Sequence, residues 1–478
     1  MTTPLWRTKP VSSAADSQTG LRRVLGPWQL VALGIGVTIG AGLFSLTGVA
    51  AGQNAGPAVT LSFVIAAVAC GFAGLCYGEL AGMIPSGGSA YSYAYASMGE
   101  LIAWMIGWDL VLEYTVGAAT VASSWSGYLA SLLGGWGLPI DPRLLAPPLT
   151  PVTLSDGTIT TAWFNLPAAC ALWIVTALLM RGVSESAKVN TAVVVIKLAV
   201  VAIVIVVCAP HVHMANYHPF IPENTGTFGS FGFSGVMRAA GMAFFAYLGF
   251  DIVSTAAQDS RNPARNIPIG IIGSLLICSV VYVIFSLVLT GVVNYRLMAN
   301  DPSPVATAID TAHLPWVASL VKLGITSGYV SVLFGMLLGQ ARIFLVMSHD
   351  GLLPPLFARL NARTRTPWTS HLLFAVLTSL LAALVPIGVL GNMTSIGTLL
   401  AFIIVCASVP VLRRTQPDAP RQFRVPGGAI IPVLGVLSCG AVMVSLDRLT
   451  WIRLIVWLII GLVIYFVYGI RNSRLCRD

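Results

Sequence analysis

Twelve apolar stretches, parted by short polar connections, leave this chain one kind of architecture. They cover residues 28–51, 57–81, 100–132, 163–181, 187–209, 232–257, 268–293, 314–347, 369–387, 393–412, 428–446 and 450–470. A helix needs about 20 apolar residues to cross the hydrocarbon core of a bilayer. In lipid every backbone N–H and C=O must be paired within the chain, so such stretches cross as helices. The expected fold is an all-α membrane protein with twelve transmembrane helices. The stretches at 100–132 and 314–347 exceed the need, so they tilt or extend beyond the membrane. Composition agrees: 9% of residues are charged, against roughly 25% in soluble domains.

Twelve spans put both ends of the chain on one side. With the ends inside, the inner segments hold eighteen lysines and arginines and the outer ones three, Arg143, Arg296 and Arg448. The positive-inside rule then places both termini in the cytoplasm; a plasma membrane is the expected location. The net charge of +9 therefore sets topology and meets anionic lipid, and does not point to nucleic acid. Residues 1–26 read as a cytoplasmic segment, since the first apolar run exceeds the about 7–15 residues of a signal-peptide core. Residues 471–478 read as a cytoplasmic tail. The loops 133–162 and 210–231 read as polar outer connections.

Two spans are interrupted. Span 1 contains GVTIGAGLFSLTG (36–48), with Gly36, Gly40 and Gly42 weakening the helix near residue 41. Span 6 contains FFAYLGFD (244–251), with Gly249 and Asp251 at its centre. Glycine also serves close helix packing, but two breaks five spans apart occupy equivalent positions if spans 1–5 repeat as spans 6–10. An odd number of spans per repeat makes the copies inverted, and paired broken helices of that kind mark a mid-membrane site. The half-helix beginning near Ala41 offers free N–H groups, which suit a carboxylate. Span 6 frees carbonyls such as those of Phe245 and Leu248, which suit an ammonium. Phe244, Phe245 and Tyr247 supply apolar walls. One site with these features fits an α-amino acid.

Ionisable side chains at bilayer depth are functional candidates by default. Lys197 stands in VNTAVVVIKLAVV (189–201), about nine residues from the inner end of span 5, or roughly 13 Å at 1.5 Å per residue. An apolar setting disfavours its charged form, so it is a candidate proton carrier; the plainer alternative is a static ion pair. Asp109 and Glu113 lie i,i+4 on one face of span 3. Glu113 is a candidate for substrate or proton handling, and Asp109 for that or a water-facing structural role. Asp251 either caps the half-helix after the break or joins a proton path. Arg238, Lys322 and Arg342 read as interfacial anchors or helix locks.

Eight stretches in order resemble the amino acid–polyamine–organocation superfamily, and within it bacterial homologues of the cationic amino acid transporter family. They are LGIGVTIGAGLFSLTG (33–48), CYGELAGMIPSGGSAYSYAY (76–95), IGWDLVLEY (106–114), GVSESAKVNTAVVVIK (182–197), FFAYLGFDIVSTAAQDSRNPARNIPIGI (244–271), GQARIFLVMSHDGLLP (339–354), SIGTLLAF (395–402) and RQFRVP (421–426). The resemblance implies a five-plus-five inverted repeat, with residues 27–209 as one copy, 232–412 as the other, and two further helices at 428–470. It implies secondary active transport of an amino acid by alternating access. It carries the substrate carboxylate to the amides of Ala41 and Gly42, and the ammonium to the carbonyls of Thr38, Phe245 and Leu248. Phe245 would close over the substrate. Lys197 would take the place of a sodium ion and bridge carbonyls of spans 1 and 8, which favours proton coupling. Bulk at Gly42 should weaken binding by obstructing the substrate's approach to backbone. Family members often carry paired acids where this chain has Gln258-Asp259, a difference expected to touch gating.

Other readings are an exchanger or facilitator of the same fold, a membrane-embedded enzyme, or a channel. The trio His211, His213 and His218 in one outer loop is a weak metal signature. The eight cysteines form no CxxC pair and read as reduced packing residues. No cofactor or metal is expected, the partners are an amino acid, a proton and lipid, and a monomer suffices for the reading.

Overall fold

The computed structural model describes residues 4–10, 25–86, 88–154, 156–182, 187–256, 260–361, 364 and 366–474. Gln258-Asp259, Arg22, Arg23, Arg363, Arg365, Arg477 and Cys476 lie outside the described residues.

Helices form on every apolar stretch. Eight helical runs are long and apolar enough to cross a membrane: Gly42–Met83, Glu100–Gly135, Thr191–His211, Gly232–Ser254, Pro263–Val292, Val317–His349, Ile387–Thr415 and Arg448–Asn472. Four shorter apolar helices join them: Pro27–Thr38, Leu166–Met180, Trp368–Leu384 and Ile430–Val444. The first of the eight runs through what the sequence divides into the end of span 1 and span 2. It turns at Gly56, where φ is +62°, a conformation glycine adopts without a Cβ penalty.

The bundle's outer surface is apolar while ionisable side chains lie buried among its helices, the inverse of a soluble protein. Leu276, Val280, Leu437 and Val463 are 66%, 54%, 62% and 57% exposed. Asp109, Glu113, Lys197, Asp251 and Gln340 are all buried. That inversion, with the long apolar helices, makes this a multi-pass, all-helical membrane protein. The helix Val59–Met83 packs along Pro263–Val292, and Glu100–Gly135 lies against Pro315–His349 and Ile387–Thr415.

Among the described residues the only named strands form a small antiparallel ribbon in the 133–162 loop. Strands β1 (Pro151–Thr153) and β2 (Ile159–Thr161) pair there. The β-branched Val152, Thr153, Ile159, Thr160 and Thr161 around Asp156-Gly157 are an ordinary hairpin pattern, which reading the loop as merely polar missed.

Two polar anchors fix one end of the bundle. Glu79 accepts from Arg413 Nε at 2.9 Å and Nη2 at 2.5 Å, and from the Val425 amide at 2.7 Å. Arg421 Nε adds an ion pair at 3.5 Å. A buried carboxylate is tolerable only when paired in this way. At the second anchor, Lys9 Nζ donates to Asp350 Oδ1 at 2.9 Å and Tyr91 donates to Oδ2 at 2.7 Å. The Arg474 amide donates to the Asp350 carbonyl at 3.1 Å. Both described ends of the chain therefore meet at Asp350. Lys322 pairs with Asp310 at 3.0 Å and so locks one helix to the next. Arg238 donates to the Ser445 carbonyl at 3.4 Å and lies over the Phe228 ring.

Candidate functional site

Helix Pro27–Thr38 ends where Ile39 turns extended, with ψ at 101°. Helical structure resumes as a wide turn at Gly42–Leu46. The amides of Leu43 and Phe44 both donate to the Gly40 carbonyl at 3.1 Å. Those of Ala41 and Gly42 precede this first turn, where a helix leaves its N–H groups without internal acceptors.

The second interruption matches it. Helix Gly232–Ala243 tightens into a 3₁₀ turn at Phe244–Tyr247. Leu248 then leaves helical geometry at ψ 131°, and Gly249 sits at φ +120°. Leu248 N donates to the Phe245 carbonyl at 3.1 Å, so that carbonyl keeps one lone pair for another donor. Leu248's own carbonyl turns away from the helical ladder.

The two breaks touch. A Cβ on Gly249 would fall 3.0 Å from the Thr38 amide nitrogen, and one on Gly42 would fall 2.2 Å from Ala246 Cα. The second distance corrects the sequence reading of Gly42. Its missing side chain first admits the span 6 backbone, so added bulk there meets Ala246 before any ligand. Thr38, Ala41, Phe245 and Leu248 are at most 3% exposed, and Gly42 is buried too.

The aromatic residues divide by direction. In a 3₁₀ turn positions i and i+3 eclipse, so Phe244 and Tyr247 share a face while Phe245 points elsewhere. Phe244 stacks edge-on with Phe402 at 5.4 Å, and Tyr247 with Tyr282 at 5.3 Å. Tyr247 also donates to the Phe63 carbonyl at 3.1 Å. Both rings thus join span 6 to neighbouring helices.

Lys197 reaches the first break. It lies on the helix Ala187–Cys208, is 1% exposed, and donates to the carbonyls of Gly36 at 2.5 Å and Ile39 at 3.2 Å. Its stem passes over Gly328, where a Cβ would fall 2.9 Å from Lys197 Cε. Gly324 and Gly328 form a small-residue face that lets this helix approach. The spacing was visible in GITSG (324–328).

Tyr282 is the residue that sequence reasoning missed. Its hydroxyl lies 2.8 Å from the Thr38 carbonyl and 2.8 Å from the Ala246 carbonyl, bridging both breaks from the helix Pro263–Val292. A tyrosine in the middle of the apolar CSVVYVIF (278–285) was the available signal, since a buried phenol needs a partner.

The acids separate into two kinds. Asp251 accepts from Tyr114 at 3.0 Å and from the Gly249 amide at 3.2 Å. Asp109 is fully buried rather than water-facing, and neither of its oxygens has a hydrogen-bond partner among the described residues. Glu113 lies beside Thr398, whose hydroxyl donates to the Thr394 carbonyl at 3.0 Å, and both Glu113 oxygens are likewise unbonded there. Among the described residues no cluster of three His, Cys, Asp or Glu side chains is placed to hold a metal.

Beyond the first break, Val49 and Gln53 line a cavity of about 930 Å³ together with Ser123, Asn300, Gly388 and Asn392. It lies under the loop that carries the β-ribbon.

Comparison with known proteins gives the family. The amino acid permease family profile covers residues 25–469. The chain is 42% identical to the branched-chain amino acid permease BcaP of Bacillus subtilis over 97% of this chain and 96% of that one. It is 39% identical to the methylthioribose transporter of the same organism, over 98% of this chain and 99% of the other. It is also 39% identical to the vacuolar cationic amino acid transporter 2 of Arabidopsis thaliana, over 87% of this chain but only 64% of that longer protein. The chain belongs to the amino acid permease family of the amino acid–polyamine–organocation superfamily, and is a membrane transporter, not an enzyme.

Proposed function

We propose that this permease moves an amino acid into the cell by alternating access, in symport with a proton. The substrate carboxylate meets the amides of Ala41 and Gly42, and its ammonium meets the carbonyls of Thr38, Phe245 and Leu248. Phe245 closes over it. Spans 1–5 (27–209) and 6–10 (232–412) act as inverted repeats, spans 11–12 (428–470) complete twelve crossings, and both termini face the cytoplasm of a bacterial inner membrane.

The observation that carries the reading is the Lys197 ammonium on the Gly36 and Ile39 carbonyls. Hydrogen bonds to a charged group contribute about 1.5–3 kcal/mol each. Loss of the proton weakens both at once, so protonation and the shape of the span 1 break are linked. Glu113 and Asp251 lie on the span 3 and span 6 side of the same region and are the further candidates for the proton's route.

The outer cavity at Val49, Gln53 and Asn300 supplies the approach. An aliphatic neutral side chain fits best: Asp251 is already engaged by Tyr114, Phe245 offers an apolar wall, and the 42% identical relative is named a branched-chain permease.

Proteoliposomes test the coupling. An imposed gradient, acidic outside, should drive uptake of labelled substrate into vesicles that contain no amino acid. Movement only into preloaded vesicles would establish exchange instead and remove the proton from the mechanism.

A further inference from the structure

A cleft of about 740 Å³ separates the first turns of the helix Pro263–Val292 from the RQFRVP stretch. Arg265, Pro268, Ile269 and Ile272 line one side, and Gln422 and Phe423 the other. The amide of Arg261, just before this helix, donates to the Leu25 carbonyl at 3.0 Å. The cleft therefore opens at the end of the bundle where the first apolar stretch begins.

Its charge is one-sided. None of the described residues lining it is acidic. Arg413 and Arg421, nearby in sequence, are held by Glu79. Arg265 and Arg424 are exposed and form no ion pair among the described residues. Arg424 follows Phe423 directly in the chain.

An apolar track leads away from that charge. Residues 265, 269, 272, 276 and 280 recur at helical spacing on one face. Ile269, Leu276 and Val280 are 40%, 66% and 54% exposed. Arg265 in the lining, with Arg424 next in the chain to the lining residue Phe423, beside a strip of aliphatic side chains, matches a molecule with an anionic head and a hydrocarbon tail.

We propose that this cleft binds an anionic phospholipid from the leaflet on the side of both chain ends. Its phosphate meets Arg265 and Arg424, and one acyl chain lies along Ile269, Ile272, Leu276 and Val280. The site rests on the membrane reading of the fold and is independent of what the protein transports.

Native mass spectrometry of the detergent-purified full chain tests it, with dioleoyl phosphatidylglycerol and dioleoyl phosphatidylcholine offered in equal amounts. The wild type should retain one phosphatidylglycerol in preference to phosphatidylcholine. A basic residue near an anionic lipid surface contributes about a fivefold preference, so Arg265→Gln and Arg424→Gln should each lower the selectivity by about that factor. Ile272→Trp should reduce retention of the lipid by filling the cleft. Arg265 and Arg424 hold no other side chain among the described residues, so both variants should melt like the wild type without lipid. Equal retention of the two lipids, or unchanged selectivity in both arginine variants, would overturn the site. So would an equal loss in Arg453→Gln, which lines the separate cavity at Val49. Stabilisation by glycerol 3-phosphate as large as that by the lipid would assign the arginines to a soluble anion and overturn it as well.

Discussion

Gly42 and Ala246 pack backbone against backbone: a Cβ on Gly42 would lie 2.2 Å from the Ala246 Cα. The two interrupted helices are thus held against each other at the point where each loses its own hydrogen bonds. Adding volume to a close contact costs about 1–3 kcal/mol. Gly42→Ala should therefore lower the melting temperature of the purified protein even with no substrate present. A variant that melts like the wild type but binds poorly would show that added volume at Gly42 meets the substrate rather than Ala246.

Tyr282→Phe should loosen both breaks together. The hydroxyl's one proton is shared between the Thr38 and Ala246 carbonyls, and losing that hydrogen bond costs about 1 kcal/mol. The ring stays and keeps its packing against Tyr247 and Phe63, so folding should survive. Substrate affinity, read by thermal shift across a concentration series, should fall about fivefold to tenfold. Unchanged affinity would confine Tyr282 to packing.

The fold was legible because its determinants are local. Each helix announces itself as a run of apolar residues, and each break as glycine beside polar residues within such a run. Lys197 was legible for the same reason, since a lone cation among valines stands out. Contacts between distant segments were not. Tyr282 reads like any aromatic in an apolar run until the Thr38 carbonyl is placed 2.8 Å from it. Gly42 reads like a gap for a ligand until Ala246 fills it. The ribbon at Pro151–Thr161 escaped because a length-and-hydropathy reading assigns no structure to loops.

Glu79 and Asp109 should respond in opposite ways to loss of charge. Glu79 holds two arginines and the Val425 amide. Breaking a buried ion pair from one side costs about 3–5 kcal/mol, so Glu79→Gln should lower thermal stability sharply. Asp109 has no hydrogen-bond donor to lose among the described residues. Asp109→Asn removes only the desolvation of a carboxyl group and should leave stability unchanged or raise it. A drop for Asp109→Asn comparable to that for Glu79→Gln would reveal a partner for Asp109.

The substrate should be aliphatic. In a thermal-shift screen of the twenty amino acids at two pH values, leucine, isoleucine and valine should stabilise the protein more than arginine or lysine. The reason is that Asp251, the acid at the span 6 break, is taken up by Tyr114 and Gly249. Larger shifts with arginine or lysine would identify Glu113, 1% exposed and without a hydrogen-bond partner among the described residues, as the partner of a cationic side chain.

Lys197→Ala separates binding from coupling. It removes the ammonium from the Gly36 and Ile39 carbonyls but leaves Ala41, Gly42 and Phe245 in place. Those carbonyls lie on the Lys197 side of the break, so stabilisation by substrate in a thermal-shift assay should persist and would report a folded protein. Accumulation driven by an imposed pH gradient should be abolished, because the proposed proton carrier is gone, while exchange between labelled and unlabelled substrate continues. Lys197→Arg should behave like the alanine variant in the gradient assay, since a guanidinium keeps its charge across the working pH range. Full pH-driven accumulation in either variant would take Lys197 out of the coupling mechanism and reduce its two hydrogen bonds to a structural tie between span 5 and span 1.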